Sequence, residues 1–307
     1  MTEDSQTLIN VPASVLDRLR NIARATGENM QVVLIRYATE RLMYRISLSP
    51  YRDTFVLKGA WLFFLWGIAR RATRDVDLLG YADNSPQAVG EIFQEIVAVD
   101  VDVDDGLAFD AASIRVNEIQ KDGAYEGVRI RMTALLGRTR IPVQIDLGFG
   151  EKLVDDPSPI ELPVLLDFPP PKIRAYGPEA SIAEKLEAIV RFGTINTRFK
   201  DFFDIFLLFL EKSFEGSTLQ AQVEATFQYR GTDVPEGIPV GLSPEFAADE
   251  RSQTEWKAFL RRTEARGAPE DFSEVVEAVR GFVGPVLEAI GNGDTLGKDW
   301  SPKEGWA

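Results

Sequence analysis

The chain has 307 residues with 48 acidic against 34 basic side chains, a net charge of −14, and neither Cys nor His. Without Cys there are no disulfides or thiolate metal sites, and without His there is no Ser-His-Asp or Cys-His catalysis and no HExxH zinc site. Chemistry is left to carboxylates, Lys, Arg, Ser, Thr and Tyr; the acidic balance argues against a broad basic face for duplex nucleic acid, although a local basic patch could still hold a nucleotide or an RNA end.

Two helices are expected up to about Ser49. The first starts near Pro12, with Val15, Leu16, Leu19, Ile22 and Ala23 at helical spacing and a stop at Gly27; the second runs from about Asn29 to Arg45. The opening MTEDSQTL is acidic and lacks a signal-peptide pattern, and the absence of Cys suits a reducing compartment, so a cytoplasmic location is expected. FVLKG then reads as a strand end and turn, AWLFFLWGIARR as a buried helix, and RDVDLLGY as a strand. The apolar run Phe55 to Ala69 contains Lys58 and, at about 15 residues, is too short for a membrane span.

A helix is expected from Pro86 to Val99. Three strands follow, Ser113 to Gln120, Gly127 to Leu135 and Ile141 to Phe149, with Val128, Ile130, Met132 and Ala134 alternating against Arg129, Arg131 and Thr133. Asp155 to Pro178 holds seven prolines and reads as an extended connector. Beyond it, SIAEKLEAIVR suggests a helix opened by a Ser181/Glu184 capping box, and RFKDFFDIFLLFLEK a helix whose buried stripe is Phe202, Phe203, Phe206 and Leu210. The remainder reads as mostly helical, and the residues from about Asn292 as loosely ordered.

The chemistry centres on Asp75-Val76-Asp77. Residues two apart on a strand share a face, so both carboxylates project together while Val76 faces the core. Their mutual repulsion is relieved by a cation between them, and hard oxygen ligands without His or Cys favour Mg²⁺, Mn²⁺ or Ca²⁺ over zinc. In Ile141–Leu147 the odd positions are apolar, which places Asp146 on the polar face with Gln144. If that strand neighbours the Asp75 strand, three carboxylates converge and can hold two metals about 3.5–4 Å apart, an arrangement suited to in-line displacement at phosphorus. Lys58-Gly59 forms a turn ahead of the Trp61 helix where backbone N–H groups can approach a phosphate, and Arg70, Arg71 and Arg74 add positive charge. Each motif has a plainer alternative. An isolated D-x-D is common, Asp146 could be a solvated sheet residue, and Asp201, Asp204 and Lys200 could form ion pairs on a solvated helix flank. Arg129, Arg131, Arg138 and Arg140 lean toward RNA, or simply solvate a sheet face.

Taken together, Lys58-Gly59-Ala60, Thr73-Arg74-Asp75-Val76-Asp77-Leu78, Val143 to Gly150, Ala183 to Ala188 and Arg198 to Asp204 resemble the AbiEii-type nucleotidyltransferases, the toxin half of type IV toxin–antitoxin and abortive-infection systems. The resemblance spans about residues 50–210 and continues more loosely through Phe227 to Thr232. It implies an α+β fold: a DNA polymerase β-like nucleotidyltransferase core with a mixed sheet and flanking helices, plus a helical C-terminal domain. The implied division is N-terminal helices over 1–50, the core over 51–165, and a mainly helical domain completing the active site over 166–307.

The resemblance further implies that Asp75, Asp77 and Asp146 bind metal and that Lys185 contacts nucleotide phosphates. Lys200 and Asp201 complete the site with Asp204 close by, and Lys58, Gly59, Ala60, Thr73 and Arg74 belong to nucleotide binding. Ala60 departs from the Gly or Ser common at that position and removes one hydroxyl contact. The implied reaction is Mg²⁺-dependent transfer of a nucleoside monophosphate from an NTP to an acceptor. The acceptor is expected to be an RNA such as a tRNA 3′ end, and a cognate antitoxin is expected to be encoded alongside. A small hydroxylated acceptor, or a nucleotide-binding interaction protein without catalysis, are the competing expectations.

Overall fold

The computed structural model describes residues 10–70, 75–121, 125–150, 153–154 and 156–307. The chain divides into two compact units, the first drawn from Met1–Trp61, Thr73–Gly150 and Ser158–Ala175, the second from Leu62–Ala72, Glu151–Pro157 and Tyr176–Ala307.

In the first unit, Asn10 caps helix α1 (Val11–Thr26), its side chain accepting from the Ala13 amide, and Pro12 sits in the first turn, where its missing N–H costs nothing. Helix α2 (Met30–Leu48), capped by Asn29, runs a turn beyond the expected end and is buried along most of its length. It packs against the sheet on strands β5 and β7, given below. Strand β1 (Phe55–Lys58) leads into the short helix α3 (Trp61–Leu65), which from Leu62 onward belongs to the second unit. The expected long helix stops there because Gly67 adopts φ +72°, and the amide of Ile68 bonds back to the carbonyl of Phe63 in a Schellman closure.

Strand β2 (Val76–Gly80) and helix α4 (Pro86–Val97) follow, then a long meander of β3 (Leu107–Lys121), β4 (Tyr125–Leu136) and β5 (Thr139–Phe149). The alternation on β4 and β5 marks these strands correctly, but all three are longer than expected. Strands β6 (Pro159–Glu161) and β7 (Lys172–Ala175) lie within the proline-rich stretch that composition alone marks as a connector. They complete a seven-stranded mixed sheet of order β3-β4-β5-β2-β1-β7-β6. Proline is tolerated in β6 because it is an edge strand.

The segment between β6 and β7 is tied to α2 by a buried polar network. Arg41 donates to the carbonyl of Pro169 at 2.8 Å, and Glu40 accepts from the Leu165 amide at 2.7 Å. Arg41 and Arg45 both bond the buried carboxylate of Asp105, at 3.0 and 2.8 Å. These pairs satisfy charges whose burial alone would be costly.

The second unit is helical: α5 (Pro178–Phe192), α6 (Phe199–Glu211), α7 (Gly216–Arg230), α8 (Pro244–Ala248), α9 (Glu250–Thr263) and α10 (Phe272–Asn292). Three expectations are corrected here. First, α5 begins at Pro178 with Gly177 as its cap, so Ser181 is a buried interior residue and not the opening of a capping box; Pro178 at the first turn sets φ for the helix. Second, Phe202, Phe203 and Phe206 are buried on α6 as expected, but Leu210 is 43% exposed. Third, the C-terminus is ordered: β8 (Trp300–Ser301) pairs with β9 (Gly305–Trp306). Trp306 stacks on Phe282 at 5.6 Å, and the Trp300 indole donates to the Phe209 carbonyl at 2.7 Å. Aromatic burial holds this terminus, a signal that the surrounding Gly, Asp and Lys residues obscure. Among the described residues no helix is long and apolar enough to cross a membrane.

Candidate active site

The centre of the first unit's sheet carries a polar row that runs across five strands. Lys58 on β1 is the register partner of Asp77 on β2, and Asp77 is that of Asp146 on the parallel strand β5. Asp146 is opposite Arg129 on β4, which in turn is opposite Asn117 on β3. Register partners share a sheet face, so one basic, two acidic, one basic and one amide side chain stand side by side. The flanking residues Val76, Leu78 and Ile145 turn to the other face and are fully buried, which pins the register. The parallel adjacency of the Asp77 and Asp146 strands is the arrangement on which the expected convergence depended.

Asp75 stands just before β2 and, like Asp77, is partly exposed. Asp146 is buried, and Arg129 closes a two-pronged bond on it, with Nε donating to Oδ1 and Nη2 to Oδ2, each at 2.7 Å. That hydrogen bond, and then the charges of Asp146, Asp75 and Asp77, raise the Arg129 guanidinium above its ordinary value against the opposing effect of burial. One cation therefore feels all three carboxylates. Among the described residues no three acidic side chains gather as a ready-made metal cluster. What the fold brings together is the Asp77–Asp146 pair, with Asp75 two residues upstream and Arg129 on the third carboxylate.

Gly59 borders this row. Its φ is +70°, and a Cβ there would lie 2.9 Å from both Cβ and Cγ of Asp77 and would overlap the carboxylate. Glycine lets the turn backbone pack directly against the Asp77 carboxylate, which occupies the place a side chain would take. The donor set is wholly hard oxygen, packed against a glycine turn, and its charges converge on one cation; this chemistry suits a divalent ion such as Mg²⁺, which Asp75, Asp77 and Asp146 would hold. Lys58 is buried and Ala60 half-buried beside the turn. Thr73 and Arg74, together with Arg71, lie outside the described residues. Arg70 belongs to the second unit and pairs with Glu211 at 3.4 Å. Arg131 is exposed and reaches Gln144 at 3.2 Å, while Arg138 and Arg140 are exposed.

The second unit holds a separate buried polar cluster on α5 and α6. Lys185 Nζ lies 3.0 Å from Asp204 Oδ2 and 3.7 Å from Asp201 Oδ1, and Arg198 Nε donates to Asp201 Oδ2 at 2.6 Å. Asp201 and Asp204 are buried, which replaces the solvated-flank alternative, and Asp201 Oδ1 has no hydrogen-bond partner. Such an atom normally finds water or a ligand. Lys200 is exposed and does not pair with Asp204, contrary to the spacing-based expectation. Its neighbour Asp201 points into the core, because α6 turns its aromatic face inward.

Sequence reasoning overlooked Glu187. It is fully buried, accepts hydrogen bonds from Arg230 at 2.8 Å and the Thr232 hydroxyl at 2.7 Å, and forms an ion pair with Arg191 at 2.8 Å. Arg230 and Thr232 fall in the FQYRGT stretch, and their hold on Glu187 gives that stretch a physical role. The available signal was a charged residue inside an apolar helix, with no indication of its partner.

A family model described as "Nucleotidyl transferase AbiEii toxin, Type IV TA system" matches residues 41–278. Two solved structures from Helicobacter pylori are similar at 12% identity. One, described as a candidate nucleotidyltransferase, covers 87% of this chain and 99% of its own at a TM-score of 0.47; the other, JHP933, covers 85% and 94% at 0.44. No curated protein matches.

Proposed function

The chain belongs to the AbiEii nucleotidyl transferase toxin family of type IV toxin–antitoxin systems, and we propose that it transfers a nucleoside monophosphate from an NTP to an acceptor hydroxyl. The observation that supports this most is the register of Asp77 against Asp146 on parallel strands, with the Gly59 turn packed directly against the Asp77 carboxylate. In this reading Asp75, Asp77 and Asp146 hold Mg²⁺ or Mn²⁺. The ion supplies charge neutralisation on the triphosphate and electrophilic activation of the α-phosphorus.

The chain's own groups do the rest. Gly59 lets a phosphate oxygen come close to the backbone, and Lys58 offers a positive charge beside Asp77. On the second unit, Lys185 keeps its ammonium against Asp204 and Asp201, a buried cation suited to an anionic ligand. Lys200, exposed on α6, is free to reach outward to substrate. RNA is the acceptor we favour, because Arg131 and Arg115 are exposed on register-paired positions of the strands that carry the polar row. A tRNA 3′ end, a cognate antitoxin and a cytoplasmic setting complete the proposal.

The test is incubation of the purified protein with each α-labelled NTP, Mg²⁺ and total tRNA, beside Asp75→Ala and Asp77→Asn. Label passing to tRNA from wild type alone supports the proposal. Pyrophosphate release with cell extract but unlabelled tRNA redirects it to another acceptor, such as a small hydroxylated molecule. Nucleotide binding with neither outcome rejects catalysis.

A further inference from the structure

Two carboxylates on adjacent strands and a third two residues upstream repel one another, and one of them is almost fully removed from water. Asp146 keeps only 5% of its side-chain surface exposed, while the Arg129 side chain that binds it keeps 30%. The guanidinium uses a planar fork to take both Asp146 oxygens, so a buried carboxylate is satisfied within the sheet by the residue directly opposite it. Arg129 rather than bulk solvent thus supplies positive charge at the Asp146 end of the row, while Lys58 stands beside Asp77 at the other end.

We propose that Arg129 is the built-in counter-ion of the aspartate row: it holds Asp146 while the row carries no divalent ion, and it competes with a divalent ion for that carboxylate. The inference rests on the reading of Asp75, Asp77 and Asp146 as metal ligands. Fork geometry engages both oxygens of Asp146, so an ion drawing on this carboxylate must share or displace the guanidinium. Arg129 keeps 30% of its side-chain surface exposed, so its head has a route toward solvent. The competition raises the divalent-ion concentration needed to fill the row, and in exchange keeps the unfilled row folded. An Arg that merely oriented Asp146 for the metal would behave in the opposite way, since its removal would weaken binding.

The experiment measures Mn²⁺ binding by electron paramagnetic resonance and calorimetry on the full chain, without nucleotide, in wild type, Arg129→Gln and Asp77→Asn. Removing one competing unit charge next to the ligand set is expected to tighten Mn²⁺ binding about tenfold in Arg129→Gln. The same variant should melt at a lower temperature than wild type without ion and should gain more from added Mn²⁺. Unchanged or weaker Mn²⁺ binding by Arg129→Gln overturns the inference and makes Arg129 an orienting group. If Arg129→Gln does not fold, Arg129→Lys carries the same comparison. Lys keeps the charge but cannot form the fork, and about threefold tighter binding is expected, with equal or weaker binding again overturning the inference. If Asp77→Asn binds Mn²⁺ as well as wild type does, the metal-ligand reading itself fails, whatever the Arg129 variants show.

Discussion

Gly59 and Asp77 are shaped to each other across adjacent strands: the turn glycine sits at φ +70°, and the space a Cβ would fill is taken by the Asp77 carboxylate. Gly59→Ala meets two penalties, a left-handed backbone worth about 1–2 kcal/mol in an L-residue and displacement of Asp77. The expected outcome is a loss of nucleotidyl transfer far larger than the loss of stability, read by comparing NTP turnover with urea unfolding. Full activity in a folded Gly59→Ala protein would remove Asp77 from the site.

Glu40 gives stability a pH dependence. Burial pushes its carboxyl up to about 7, against the opposing pull of the Leu165 amide and of Arg41. The folded state then binds the Glu40 proton more tightly than the unfolded state, whose carboxyl titrates near 4.5. Its contribution is complete below that value and is lost as pH rises toward 7, amounting to about 3 kcal/mol at most. Asp105 acts elsewhere on the scale. Burial would raise it, but hydrogen bonds and charge from Arg45, the Leu107 amide and Arg41 hold it below 3.8, so its stabilisation is lost only in stronger acid. Glu40→Gln should flatten the unfolding free energy between pH 5 and pH 7.5; an unchanged slope would assign the dependence to another group.

Lys185 and Asp204 form a nearly dry ion pair, with 11% and 1% of their side chains exposed. Lys185→Met strands Asp204, and in part Asp201, without their cation and should cost about 3 kcal/mol. Adding Asp204→Asn should recover part of that loss, so chemical denaturation of the two single variants and the double variant yields a coupling of the same sign as the pair. Additive costs would show that the two side chains do not depend on each other.

Trp306 fastens the C-terminal hairpin to α10 by stacking on Phe282 and by donating its indole N–H to the Phe282 carbonyl at 2.9 Å. Trp306→Ala should lower stability by about 2 kcal/mol and expose Phe282, detectable as faster amide exchange in α10. Exchange unchanged in α10 would mean that the hairpin is dispensable.

Part of the site was legible along the chain. The alternation around Val76 and Ile145 placed Asp75, Asp77 and Asp146 on polar faces, and Lys58-Gly59 was marked as a turn beside them. Their partners were not legible. Arg129 stands among several alternating arginines, and nothing in its local sequence separates it from Arg131, yet one closes on a buried aspartate and the other reaches a half-exposed glutamine. The choice depends on which strand lies next to β4 and in what register.

Burial of charge was hidden in the same way. Asp201 and Asp204 read equally well as a solvated flank, and Ser181 as a helix cap, until α5 and α6 pack and Pro178 starts the helix earlier. The proline-rich stretch concealed β6 because an edge strand needs few donors of its own, and β7 because it is only four residues long beside Pro169, Pro170 and Pro171; the C-terminal hairpin was concealed because its only apolar anchors are two tryptophans six residues apart. By itself the sequence determined the elements with strong periodicity, the restriction to oxygen and amine chemistry, and the family motifs, all of which arise within a few residues. Strand order, the Lys58–Asp77–Asp146–Arg129 row and the burial of the α5–α6 cluster were decided only by the tertiary structure, because a charge's partner and its distance from water are set by residues far away in the chain.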